Sequence, residues 1–230
     1  MTRAVYISGG TGYIGASLLL KLIARGHKVR ALARPGSERK LPPGCGIVTA
    51  DALSALTFAA TIDPGCTFVH MVGTPHPAPW KGPQFRSVDL VALQASVAAA
   101  RTAGVAHFVY VSVAHPAPLM KSYIAVRMEC EAEIARAGLI ATIVRPWYVL
   151  GPGHRWPVVP KPFYVIMEAI PSTRAGALRL GLVTLNQMTD TLLWAIENPP
   201  QSTRILDVPE IGRVRDYSSA GGGGGVGGVC

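Results

Sequence analysis

Short apolar runs recur along the chain at Ala4–Ser8, Lys28–Ala33, Gly46–Ala50, Thr67–Val72, His107–Val113 and Ile140–Arg145. Between them lie longer stretches with helical spacing near Tyr13–Arg25, Val88–Ala103 and Tyr123–Ala137. Runs that short and that uniformly apolar suit strands covered on both faces, and their alternation with helices predicts βαβ crossovers in a parallel sheet. After Arg145 the pattern loosens into Pro- and Gly-containing turns, then returns as a helix over Thr189–Glu197 and a strand over Arg204–Val208. That portion, about 151–217, is too short for an independent domain and reads as a cap on the sheet edge, so 1–217 form a single domain. Ser218–Cys230 differs in kind, because Gly221 to Gly225 and Gly227-Gly228 offer almost no side chain to bury. A flexible tail is expected there.

The first run leads directly into Gly9-Gly10-Thr11-Gly12-Tyr13-Ile14-Gly15 and then into an apolar helix. Strand, glycine turn and helix in that order suit the pyrophosphate of a dinucleotide: the glycines let the backbone turn and approach the phosphates, and the helix N-terminus turns free N–H groups toward the anion. The expected architecture is therefore α/β, a Rossmann-type doubly wound parallel sheet with a short C-terminal cap. Gly9, Gly10, Thr11, Gly12, Tyr13, Ile14 and Gly15 are its phosphate-side contacts. Val72 and Gly73 close the fourth run, and the Pro75, Pro77, Pro79 and Pro83 loop that follows lies at the carboxyl edge of the sheet, where ligands bind in such folds.

Cofactor type turns on the end of the second strand, about 20 residues beyond the glycines, where an acid holds a ribose and an arginine accommodates a 2′-phosphate. The position falls at Arg34, with Ser37, Arg39 and Lys40 close behind. A fork-shaped, permanent cation favours NADP(H), with NAD(H) the alternative. Asp51, after the third strand, either bonds an adenine amine or starts a helix as a solvent-exposed cap.

Composition narrows the remaining classes. The charge of +9 is spread along the chain without a nucleic-acid-binding signature. No apolar run approaches the ~18 residues of a membrane span, and the early glycines interrupt the one N-terminal apolar stretch, against a signal peptide. Cys45, Cys66, Cys130 and Cys230 lack metal-ligand or Cys-x-x-Cys spacing, consistent with free thiols in a reducing cytoplasm.

With Gly9–Gly15, Arg34, Asp51, the run Phe108–Ser112, Tyr123 and Arg127, and the segment Arg145-Pro146-Trp147-Tyr148-Val149-Leu150-Gly151-Pro152-Gly153, the chain resembles the short-chain dehydrogenase/reductase superfamily. The likeness is to its atypical and extended branches, including the NmrA-like and epimerase/dehydratase relatives, and it covers most of residues 1–153. It implies a serine after the fifth strand, matched by Ser112, or by Val113 if the register shifts by one. It also implies Tyr-x-x-x-Lys on the next helix, where the tyrosine exchanges a proton with the substrate oxygen while the lysine favours the tyrosinate and holds the nicotinamide ribose. Tyr123 keeps that spacing and Arg127 takes the lysine position. Arginine offers charge and donors to the ribose but does not readily pass a proton. Lys121, Ser122, His115, His76 and His154 are neighbouring polar candidates that more often serve loop structure.

Trp80, Trp147, Tyr148, Trp156, Phe163 and Tyr164 form either an apolar substrate pocket or the packing of the cap. The implied activity is NADP(H)-dependent hydride transfer to or from a small carbonyl or hydroxyl substrate, by a monomer or homodimer, with Tyr123, Ser112 and Arg127 as the catalytic set. Two alternatives remain: a non-catalytic dinucleotide sensor of the NmrA type, and a nucleotide-sugar epimerase or dehydratase, for which the C-terminal portion is small.

Overall fold

The computed structural model describes residues 2–117, 120–151 and 181–213. The predicted strands form as β1 (Ala4–Ser8), β2 (Lys28–Ala33), β3 (Gly46–Thr49), β4 (Thr67–His70), β5 (His107–Val111) and β6 (Ala141–Arg145), with β7 (Tyr148–Leu150), β8 (Leu182–Thr184) and β9 (Arg204–Asp207) following. Seven of them make one parallel sheet in the order β3-β2-β1-β4-β5-β6-β9, while β7 and β8 pair separately. From β1 the chain winds first toward β3 and then, from β4 onward, the other way. The carboxyl ends of β1 and β4 therefore flank the switch point, the place where this architecture binds ligands.

Side-chain alternation along the strands divides the core into two layers. On one face Ile7, Val69, Val109 and Val144 pack with Leu18 and Leu22 of α1 (Tyr13–Ala24) and with Met188 and Leu192. On the other, Tyr6, Phe68 and Phe108 stack in series at 5.3 Å between ring centroids and meet Leu93 of α2 (Val91–Ala103) and Val126, Cys130 and Ile134 of α3 (Lys121–Arg136).

Two boundaries differ from the periodicity. The helix expected from Val88 is preceded by a π-helical turn over Phe85–Leu90, and such turns often accompany functional sites. The helix expected from Thr189 begins at Leu185, giving α4 (Leu185–Glu197). Thr184 Oγ1 accepts the Gln187 N–H at 3.2 Å and Gln187 Oε1 accepts the Thr184 N–H at 2.9 Å, a capping box that starts the helix before its apolar stripe does. Among the described residues, no helix is long and apolar enough to cross a membrane and no group of side chains could hold a metal ion. His154, Trp156, Phe163, Tyr164 and the glycine-rich 218–230 tail lie outside the described residues.

Candidate functional site

The turn from β1 into α1 is built by the absence of side chains. Gly9 adopts φ +87°, and its carbonyl accepts the Gly12 N–H at 3.1 Å. A Cβ on Gly9 would lie 2.6 Å from the Met71 carbonyl carbon just past β4, and one on Gly15 would run into the Gly9 carbonyl and come 2.8 Å from Gly10 Cα. Gly12 is the N-cap of α1, which has no side-chain cap and no acid in its first turn. Its leading N–H groups thus lack intrahelical partners and face an uncluttered turn, which fits a dinucleotide pyrophosphate. Tyr13 contributes its backbone to that turn, while its side chain reaches away: a Cβ on Gly151, at the end of β7, would meet the Tyr13 hydroxyl. Burial, with Tyr148 nearby, raises the Tyr13 phenol pKa.

The adenosine-side candidates sit together on the same edge, where the Ala50 N–H donates to the Ala33 carbonyl at 3.0 Å. Arg34, directly past β2, is exposed and has no ion pair among the described residues. The Ser37 N–H donates back to its carbonyl at 2.9 Å, folding the loop so that Arg39 and Lys40 follow on the surface. Asp51 Oδ1 accepts the Leu53 N–H at 2.9 Å, so this carboxylate starts a turn and not the helix offered as one of its two roles; the short helical turn Ala55–Thr57 begins after Ser54.

Tyr123 lies in the first turn of α3, its ring 5.0 Å from that of Phe85 and 5.0 Å from the Arg127 guanidinium carbon. Four-residue spacing puts the two on one helix face, as expected. Arg127, however, is 6 % exposed and committed to protein partners. Nη2 is 2.7 Å from Asp89 Oδ1, and Nη1 donates to the Tyr110 hydroxyl at 3.0 Å and to the Val111 carbonyl at 3.3 Å. Nε has no partner among the described residues and is buried. Burial opposes the charge, but Tyr110, Tyr123 and Asp89 outweigh it and raise the Arg127 pKa well above its ordinary value. The guanidinium is a fixed cation and not a proton carrier. The expected ribose contact finds its donors turned to Asp89, Tyr110 and the strand.

Ser112 is likewise engaged. Its hydroxyl, 4 % exposed, donates to Glu131 Oε1 at 2.5 Å, one helical turn beyond Arg127. Glu131 is gripped by Arg145 through Nε at 3.0 Å and through a second bond from Nη2, and it receives His115 Nε2 at 3.4 Å. The Ser112 proton therefore points to a carboxylate, so the hydroxyl is already engaged where the resemblance implies a catalytic serine. Val113, the alternative position, is buried and apolar. Beneath the site, His70 Nδ1 lies 3.0 Å from Ser8 Oγ and 2.9 Å from Ser96 Oγ. Burial, assisted by Arg127, lowers its pKa to about 3, so the imidazole is neutral.

Around the rim, Trp80 is 81 % exposed and Trp147 packs against the core. Three residues that sequence reasoning passed over, Asp89, Tyr110 and Glu131, organise this half of the edge. A signal for Asp89 was present: an acid inside the apolar Val88-Asp89-Leu90-Val91 stretch demands a buried cation, and Arg127 is an arginine on an apolar helix face.

Residues 9–161 match the model of a family described as NAD(P)H-binding. Over 169 residues the chain is 27% identical to the 4-hydroxy-2-methyl-3-oxo-4-farnesyl-3,4-dihydroquinoline-1-oxide ketoreductase of Stigmatella aurantiaca, covering 64% of this chain and 50% of that protein. It is 32% identical over 141 residues to the chloroplastic divinyl chlorophyllide a 8-vinyl-reductase of Oryza sativa subsp. indica, covering 57% of this chain and 35% of that one. The chain thus spans half or less of the length of these curated relatives. Among solved structures it is similar to the Bordetella bronchiseptica enzyme WbmH in complex with NAD+, with a TM-score of 0.67 at 18% identity over 90% of this chain and 75% of that one. It is similar to a UDP-galactose 4-epimerase to the same degree, at 89% and 77% coverage. Such likenesses establish the doubly wound fold. With the family match over the glycine turn and both flanks of the switch point, the chain belongs to the NAD(P)H-binding family, which supports the resemblance to extended or atypical short-chain dehydrogenase/reductases.

Proposed function

We propose that the chain is an NADP(H)-dependent oxidoreductase that acts on a small carbonyl or hydroxyl substrate. The observation that carries this reading is Tyr123, seated against a permanent cation 5.0 Å away on the same sheet edge as the glycine turn. When bound, the dinucleotide supplies the hydride donor or acceptor. Gly9–Gly15 hold its pyrophosphate through backbone N–H groups, and Val72 and Gly73 border it at the end of β4. Tyr123 gives a proton to the substrate oxygen in reduction and takes one in oxidation. Arg127 keeps a positive charge against the Tyr123 ring, and Ser112 acts by fixing Glu131. The ketoreductase named above supports carbonyl chemistry, and the exposed Arg34 supports the phosphorylated cofactor. Ser37 lies within its loop to assist, and Asp51 shapes the neighbouring turn.

A second reading, a dinucleotide-binding sensor without turnover, is favoured by the commitment of both Arg127 and Ser112 to buried protein partners. Tyr123→Phe separates the two. With a panel of carbonyl substrates, turnover is expected to fall by about 10²-fold or more, while NADPH binding measured by fluorescence stays as in the wild type. A wild type that binds NADPH but oxidises it with no carbonyl establishes the sensor reading instead. Arg34→Asp is expected to reverse the preference of NADPH over NADH; an unchanged affinity ratio removes Arg34 from cofactor choice.

A further inference from the structure

Asp89 is a carboxylate whose side chain is completely shielded from solvent, and both of its oxygens are used. Oδ1 meets Arg127 Nη2 at 2.7 Å. Oδ2 accepts the Thr74 N–H at 2.9 Å and the Thr74 hydroxyl at 2.6 Å. Balancing a buried guanidinium requires only the first of these. The other two bonds reach the segment just past β4, and that segment is in close contact at both ends. Toward the glycine turn, a Cβ on Gly9 would strike Met71 and come 2.9 Å from Val72 N; toward α3, a Cβ on Gly73 would lie 2.5 Å from Arg127 Nη2 and 3.1 Å from Asp89 Oδ1. One unbroken run of contacts therefore links Gly9, the 71–74 segment, Asp89, Arg127 and the Tyr123 ring.

We propose that Asp89, carried on the π-helical turn before α2, is the positioning residue that sets the distance between the dinucleotide turn and Tyr123. One oxygen orients Arg127 beneath the tyrosine, and the other pins the Thr74 backbone beside the glycine turn. The proposal rests on the oxidoreductase reading for its effect on turnover, but its effect on dinucleotide binding and on the Thr74 amide does not.

The test compares Asp89→Asn, Thr74→Val and wild type by steady-state kinetics, NADPH titration, and hydrogen exchange of the Thr74 amide by NMR. Asp89→Asn keeps the shape and one acceptor but removes the charge. It is expected to lower kcat at least tenfold, with a smaller change in substrate KM, and to speed exchange at Thr74. Thr74→Val removes only the hydroxyl bond and is expected to weaken NADPH binding several-fold with a smaller effect on kcat. Asp89→Glu, which keeps the charge but lengthens the arm, is expected not to restore kcat. An Asp89→Asn protein with a lower Tm but unchanged kcat, NADPH affinity and Thr74 exchange overturns the proposal, because a purely structural ion pair predicts that result. If Asp89→Asn does not fold, Thr74→Val carries the test alone, and unchanged NADPH affinity with unchanged Thr74 exchange overturns it. A wild type without turnover refutes the enzyme reading and leaves the binding and exchange arms to decide the positioning role.

Discussion

The two halves of the sheet's carboxyl edge are made in opposite ways. At the β1 side, the turn proposed to receive the dinucleotide is backbone so closely packed at Gly9 and Gly15 that no side chain fits there. At the β5 side the edge rests on shielded charge, buried for Asp89 with Arg127 and partly buried for Glu131 with Arg145 and Ser112. Backbone N–H groups keep their direction because the turn fixes them, at no cost in buried charge. Buried ion pairs keep theirs only while every partner is present, since removal of one leaves the other desolvated and unpaired. The first half is mostly local; the second is a mutual arrangement.

The largest effect is expected from disturbing the backbone half. Gly15→Val would drive its side chain into the Gly9 carbonyl and Gly10, and loss of measurable NADPH binding by titration calorimetry is expected. Retained affinity would show that the turn can open without losing its ligand. In the charged half, Arg127→Met leaves Asp89 buried without its cation, and a loss of about 3–5 kcal/mol is expected in urea unfolding. Adding Asp89→Asn should return part of it, because the orphaned charge is then gone; no recovery would place the cost in packing around the Arg127 stem.

The smallest effect concerns pH. His70 has a folded pKa lowered to about 3 by burial and Arg127, against an unfolded value near 6.5. The unfolded chain therefore binds the proton first. The stabilising contribution is full above about pH 6.5 and declines as pH falls toward 3, by at most about 1.4 kcal/mol per pH unit. His107, lowered to about 4 by burial with help from Arg204 and Arg3, adds in the same direction. Urea titrations between pH 7 and 5 are expected to show a shallower pH slope for His70→Asn than for wild type. Equal slopes would mean that His70 reaches solvent and titrates in the folded protein.

The strands were legible because each is a contiguous apolar run, and β1, β2, β5 and β6 begin and end within two residues of the pattern. The glycine turn is legible because its spacing lies inside seven consecutive positions, although the crowding that requires glycine at Gly9 comes from Met71 and Val72. Thr184 and Gln187 stand at capping-box spacing ahead of the apolar stripe, so hydrophobic periodicity alone places the start of α4 later than the cap does. Tyr123 and Arg127 were legible as a pair on one helix face. What they touch was not, because Asp89 is 38 residues from Arg127 and Thr74 lies 15 from Asp89.

Apolar periodicity and glycine spacing act over short range and tolerate few other structures, so a parallel α/β sheet with a glycine turn of dinucleotide-binding type follows from the linear order of residues. The partners of Ser112 and Arg127 emerge only in the assembled fold. The energy of a buried charge depends on which partner the fold brings within hydrogen-bond distance, and those partners, Glu131 and Asp89, come from separate elements that meet only when the sheet has assembled.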